Sequence, residues 1–215
     1  MRNKLIYLAV GVALVSHFAV AEVPSYEAIN VDQFGTGDSK EALTLKFADG
    51  KTIAIDSCSS YVAALHNHGR AKDLDGGQLS INSATVNLPL CEVRNYLDTN
   101  KFNVIPSQTI ITPQLLPADV YWAFNYDRQD FAKSLPAKAN LSDAEKGIVK
   151  NGDGRYSADG VNYRFLNLGQ IEPDKIIVQI SNTLDGGSIF YSRIFILSTE
   201  SKPWSVKKEF SFFSE

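Results

Sequence analysis

Long apolar runs, basic blocks and histidine are what this sequence has least of, and each shortage closes off a class of function. Beyond Val20 no apolar run approaches the roughly 20 residues that a membrane-spanning helix needs. Lys and Arg number 21 against 24 Asp and Glu, and they are scattered, so there is no electrostatic reason to bind nucleic acid or anionic lipid. No glycine-rich phosphate loop, internal repeat or low-complexity tract is present. Of the three histidines, His17 lies in the N-terminal segment, which leaves His66 and His68 for any acid–base or metal chemistry.

What is present begins with an export pattern. Arg2 and Lys4 supply positive charge, Leu5–Val15 is apolar apart from Gly11, and Ala19-Val20-Ala21 is a small-residue cleavage sequence. Residues 1–21 are expected to be a signal peptide removed near Ala21, placing the rest in a bacterial periplasm or outside the cell. The apolar run is too short for a permanent membrane anchor, and the absence of cysteine at the cleavage point argues against a lipid anchor. Losing Arg2 and Lys4 lowers the formal net charge of −3 by two units, so the mature chain is mildly acidic.

Glu22–Lys40 is polar and reads as an irregular lead-in. Leu43, Leu45 and Phe47, then Ile53 and Ile55, alternate with polar or small neighbours on either side of Asp49-Gly50, which predicts a hairpin over Ala42–Asp56. Ser57 suits the N-cap of a helix starting near Cys58, and Gly69 its end. Arg70–Gln78 is polar and turn-rich. A short strand over Thr85–Leu88 is expected to lead into a helix over Leu90–Asp98, with Pro89 in its first turn. Pro106, Pro113 and Pro117 mark a boundary between two halves. Val120–Tyr126 fits strand or helix, with its aromatics favouring strand. Ser142 and Glu145 have capping-box spacing, which predicts a short helix ending near Gly147. The remainder predicts a β-meander, with Ile189–Leu197 buried on both faces as a central strand and Trp204–Phe212 as an edge guarded by Lys207 and Lys208.

The cysteines are the first candidate site. Asp56-Ser57-Cys58-Ser59-Ser60-Tyr61-Val62 locally resembles the nucleophile segment of papain-like cell-wall peptidases of the NlpC type, in which Asp-Cys-Ser-Gly, an aromatic or aliphatic residue and Val follow one another. The resemblance implies Cys58 as nucleophile, although the spacing before the cysteine and the glycine both differ. That family also needs a downstream His on a strand as base. Here His66 would lie about 12 Å from Cys58 along the same helix, whereas a nucleophile and its base sit roughly 3 Å apart. A Cys58–Cys91 disulfide is favoured instead, because two cysteines in an exported chain are expected to pair.

Other groupings are weaker. His66 and His68 with Asp73 and Asp75 form no metal site on a helix, since residues two apart point in divergent directions. Asp73–Gly77 and Asn151–Gly154 lack the ligand pattern of a calcium loop and read as turns. Tyr121, Trp122 and Tyr126 could form an aromatic binding surface or belong to the core. No cofactor or metal is expected.

The expected fold is α+β: an antiparallel sheet formed by the C-terminal meander plus the N-terminal hairpin, two or three short helices and one disulfide. Residues 22–105 would form the hairpin and disulfide-linked helical half, and 106–215 a mainly β half packed with it as one domain. The expected function is non-enzymatic protein binding, as in an immunity or inhibitor protein of the periplasm. The alternatives are an envelope hydrolase, cysteine-based or carboxylate-based, and a module binding glycans or small ligands.

Overall fold

In the computed structural model, residues 42–122, 126–187 and 190–212 are described. The expected signal peptide and lead-in, Phe124 and Ile189 lie outside them. The hairpin forms as the alternation predicts: β1 (Leu43–Phe47) pairs with β2 (Thr52–Ile55), with Leu45 opposite Ile53. Arg70–Gln78 is not merely turn. Its residues Ala71–Asp75 form β3, antiparallel to β1 on the side away from β2. The Ala-Lys-Asp-Leu-Asp sequence has too little apolar alternation to announce a strand, so backbone pairing to β1 decides it.

Helix α1 (Cys58–His68) starts where Ser57 accepts from the Ser60 N–H at 3.2 Å, while the Ser60 hydroxyl accepts from the Ser57 N–H at 3.1 Å. The expected strand at Thr85–Leu88 is absent: these residues belong to one long helix, α2 (Gln78–Asn100), that continues through Pro89. Thr85 and Val86 favour a strand locally, and Pro89 removes one helical hydrogen bond. Burial on two sides overrides both. Ala84, Leu88 and Cys91 pack with Tyr61 and the three-stranded sheet, whereas Leu90, Val93 and Leu97 pack on Ile177, Ile194, Ile196 and Phe210 of a second sheet.

That second sheet is an uninterrupted six-stranded antiparallel meander in sequence order. Its strands are β4 (Val149–Gly152), β5 (Arg155–Ala158), β6 (Val161–Glu172), β7 (Lys175–Leu184), β8 (Phe190–Ser198) and β9 (Ser205–Phe210). β8 is buried on both faces as expected: Ile194 and Ile196 meet α2, while Phe195 and Leu197 join the opposite core. β9 is an edge, with Lys207 and Lys208 exposed.

The face of this sheet opposite α2 is covered by the segment after α2. This runs as a proline-rich loop, a short 3-10 turn (Ala118–Val120), α3 (Tyr126–Ser134) and α4 (Leu141–Ala144). Val120 and the described part of 121–126 are therefore not a strand; Tyr121 and Trp122 are irregular and Tyr126 opens a helix. The N-cap of α4 is Asn140, which exchanges hydrogen bonds with Asp143, in place of the expected Ser142–Glu145 pair. Glu145 is instead buried, accepting from the Tyr163 hydroxyl at 2.7 Å. The shift costs nothing in capping, because Asn and Asp at this spacing satisfy the same two amides.

Candidate functional site

Each face of the meander follows from its register, because side chains alternate along a strand. Tyr156, Tyr163, Phe165, Val178 and Phe195 point into the core beneath α3 and α4. The other parity points to the α2 side. There, Arg155, Arg164, Ser181 and Ser192 form one row across β5 to β8, and Ser157, Asn162, Thr183 and Phe190 form the next. α2 is pinned at the beginning of β8: Asn82 Oδ1 accepts from the Phe190 N–H at 3.3 Å, and the Thr85 hydroxyl donates to the Phe190 carbonyl at 3.3 Å. From that point α2 runs over the apolar rows, and among the described residues nothing covers the polar rows over β5–β7.

The uncovered part is a groove of about 460 Å³, lined by Arg155, Asn162, Arg164, Ser181, Thr183 and Phe190 among others. Its floor is fixed by buried polar contacts. Gln179 Nε2 donates to the Ser192 hydroxyl at 2.8 Å, and the Ser181 hydroxyl stands 3.4 Å from the same oxygen. At the margin the Asn151 amide donates to the Ser157 hydroxyl at 2.7 Å, and the Asn162 amide donates to Asp185. Such contacts tie the polar rows to one another without using the arginines.

Arg155 and Arg164 are direct cross-strand partners, and both are exposed. Among the described residues neither guanidinium has a carboxylate partner, unlike those of Arg70, Arg128 and Arg193. Opposed side chains on paired strands lie about 5 Å apart at Cβ, where like charges repel. In a net acidic chain, two unneutralised arginines facing each other over a polar floor form a local positive focus. The groove supplies positive charge and hydrogen-bond donors, which suits holding an anionic group.

This pair was legible in the sequence. Counting outward from the Asp159-Gly160 turn brings Ala158 against Val161 and hence Arg155 against Arg164, at the parity opposite to the buried Tyr156 and Tyr163.

The sequence-derived candidates lie elsewhere. Cys58 and Cys91 form a disulfide with Cα atoms 5.1 Å apart, and both are buried, so Cys58 is held as a tie between α1 and α2. His68 Nδ1 lies 2.7 Å from Asp49 Oδ2, and the Asp49 carboxyl is held below its ordinary pKa by the Lys51 N–H first and by His68 second. Among the described residues no three metal-ligating side chains gather. Asn151 and Gly152 end β4, Asp153-Gly154 forms the turn to β5, and Asp73 and Asp75 lie on β3.

The three aromatics do not share one environment. Tyr121 is buried, and burial together with neighbouring Glu145 pushes its phenol up to about 12. Trp122 is half-buried against Tyr191 at 4.1 Å between ring centres, and its carbonyl accepts from the Asn182 amide at 3.4 Å. Tyr126 begins α3, its side chain lying outside the described residues. The most buried carboxylates are likewise engaged. Glu145 accepts from Tyr163 and faces Arg128 at 3.7 Å, and Glu92 accepts from Tyr61 and Arg70, each at 2.8 Å. Comparison with protein-family models, curated proteins and solved structures finds no match to this chain.

Proposed function

We propose that this protein is exported and works by binding another protein, as an immunity or inhibitor protein of the bacterial periplasm does. The export pattern at Arg2–Ala21 and the Cys58–Cys91 disulfide support an oxidising compartment outside the cytoplasm. The observation that carries protein binding is the polar face of the six-stranded sheet that no described residue covers, with Arg155 and Arg164 lacking carboxylate partners over a hydrogen-bonded floor. Arginine is enriched in interface anchors because its planar fork pairs with carboxylates and its stem covers apolar surface. A cysteine-peptidase activity is disfavoured, since the disulfide removes the Cys58 thiolate that would attack.

The test is capture from a periplasmic extract on the immobilised mature protein, compared with an Arg155→Glu/Arg164→Glu double variant. The expected result is a protein retained by the wild type, lost by the variant, and inhibited in its own activity when the wild type is added. Finding no retained protein, or equal retention by the variant, would overturn the proposal.

A further inference from the structure

We infer that the Arg155–Arg164 pair is a carboxylate clamp: it holds an acidic peptide segment of the partner, with Glu or Asp side chains of that segment neutralising both guanidiniums. The inference rests on the protein-binding reading and names the chemistry of its contact. Three features carry it. The two arginines oppose one another directly, so a bound carboxylate relieves a repulsion that the free protein contains. A carboxylate accepts two parallel N–H bonds from one guanidinium, a geometry a point charge does not reward. The Ser181 and Thr183 rows beside the pair add short polar side chains in a groove of about 460 Å³, open enough for an extended segment and shallow for an enclosed small molecule.

The surroundings argue against a dense polyanion. Asp153 sits on the turn that precedes Arg155 and is paired with Lys150, and Asp185 beside Asn162 is exposed. These carboxylates bracket the arginines, Asp153 at the β4–β5 turn and Asp185 beside Gly160 at the other end of β5. A continuous phosphate backbone would meet them, and would find two arginines in the groove of a net acidic chain. Isolated carboxylates spaced along a peptide carry less charge density and can seat on the two arginines while keeping clear of Asp153 and Asp185.

The experiment uses the mature, disulfide-intact protein and a fluorescein-labelled peptide of alternating Glu and Ser, read by fluorescence polarisation at low and moderate salt. The Gln–Ser counterpart and inorganic phosphate serve as competitors. The clamp predicts binding of the Glu peptide that weakens at least about tenfold in Arg155→Gln/Arg164→Gln. Each single variant should be intermediate, and Arg155→Lys/Arg164→Lys, which keeps the charge and loses the fork, should bind more weakly than wild type.

Competition by the Gln peptide as strong as by the Glu peptide overturns the clamp, as does affinity unchanged in the double variant. Displacement by equimolar phosphate assigns the pair to a phosphate ligand and overturns it too. The glutamine variants relieve repulsion, so their melting temperatures should equal or exceed that of the wild type, and a lower value contradicts the premise. If the Glu peptide fails to bind while a periplasmic protein is still captured through this face, only the clamp is lost. If nothing is captured either, the protein-binding reading falls with it.

Discussion

The Tyr61 hydroxyl donates to Glu92 Oε1 at 2.8 Å while Arg70 Nη2 donates to Glu92 Oε2 at 2.8 Å. Arg70 Nη1 in turn reaches the Ser211 carbonyl at 2.8 Å, so one buried carboxylate joins α1, α2, the approach to β3 and the chain after β9. Burial raises the Glu92 pKa above the ordinary value, against the lowering pull of Arg70 and Tyr61. The folded chain therefore holds this proton more readily than the unfolded one. Stability from the group is full below the ordinary glutamate pKa of about 4.3 and is lost as pH rises through the raised value. Urea unfolding of wild type and Glu92→Gln from about pH 4 to pH 8 should show the wild type losing stability relative to the variant with rising pH. A flat or rising difference would contradict this account.

The Cys58–Cys91 bond closes a separation of 33 residues between two buried helical positions. Thiol titration of the native protein should find no reactive thiol. Cys91→Ala should lower stability to denaturant by about 3–4 kcal/mol, the size of the loop-closure entropy restored to the unfolded chain. Two titratable thiols in native protein prepared under oxidising conditions would reopen the peptidase reading.

Asn140 and Ser142 should respond oppositely to truncation. Asn140 accepts from the Asp143 N–H at 3.2 Å and begins α4, so Asn140→Ala should cost about 1 kcal/mol. The Ser142 hydroxyl is buried with no hydrogen-bond partner among the described residues, so Ser142→Ala should be neutral or slightly stabilising. Thermal denaturation of the two variants checks the pair, and a larger loss at Ser142 would restore the cap read from the sequence.

Gly169 and Gly186 both have positive φ, 129° and 66°, but only Gly169 is crowded. A Cβ there would stand 2.4 Å from Val104 Cγ1 and 3.0 Å from the Ile105 carbonyl oxygen. That contact exists because Ile105 and Gln170 exchange backbone hydrogen bonds of 2.9 and 2.8 Å, drawing the proline-rich loop onto β6. Gly186→Ala, with open space around it, should cost about 1 kcal/mol. Gly169→Ala should cost at least about 2 kcal/mol, read by urea unfolding.

What the sequence made readable was local. The Leu43–Ile55 hairpin, the Ser57 cap and the strands around Asp159-Gly160 are specified by residues within a few positions of one another. β3 escaped because its order comes from hydrogen bonds to β1 and not from its own composition. α2 was split because Thr85, Val86 and Pro89 oppose a helix locally, while its two apolar faces find partners far away in the chain. The arginine pair needed only a count outward from a turn already recognised, combined with asking which sheet face lacks a cover.

The double-sided burial of α2 also sets an order of events during folding. Its contacts with Phe190 span 105 and 108 residues, and the Arg70–Ser211 contact spans 141. The meander closes between neighbouring strands, so its pairings are local and form early once the strands exist. α2, by contrast, carries Leu90, Val93 and Leu97 bare until β8 and β9 are made. A Cys58–Cys91 bond formed by then should keep α2 docked on the first sheet and limit the wandering of its unsatisfied stripe. The disulfide is thus expected to act on the path to the native state as well as on its depth. Under reducing conditions the earliest consequence should be aggregation during refolding, before any loss of the finished fold is seen.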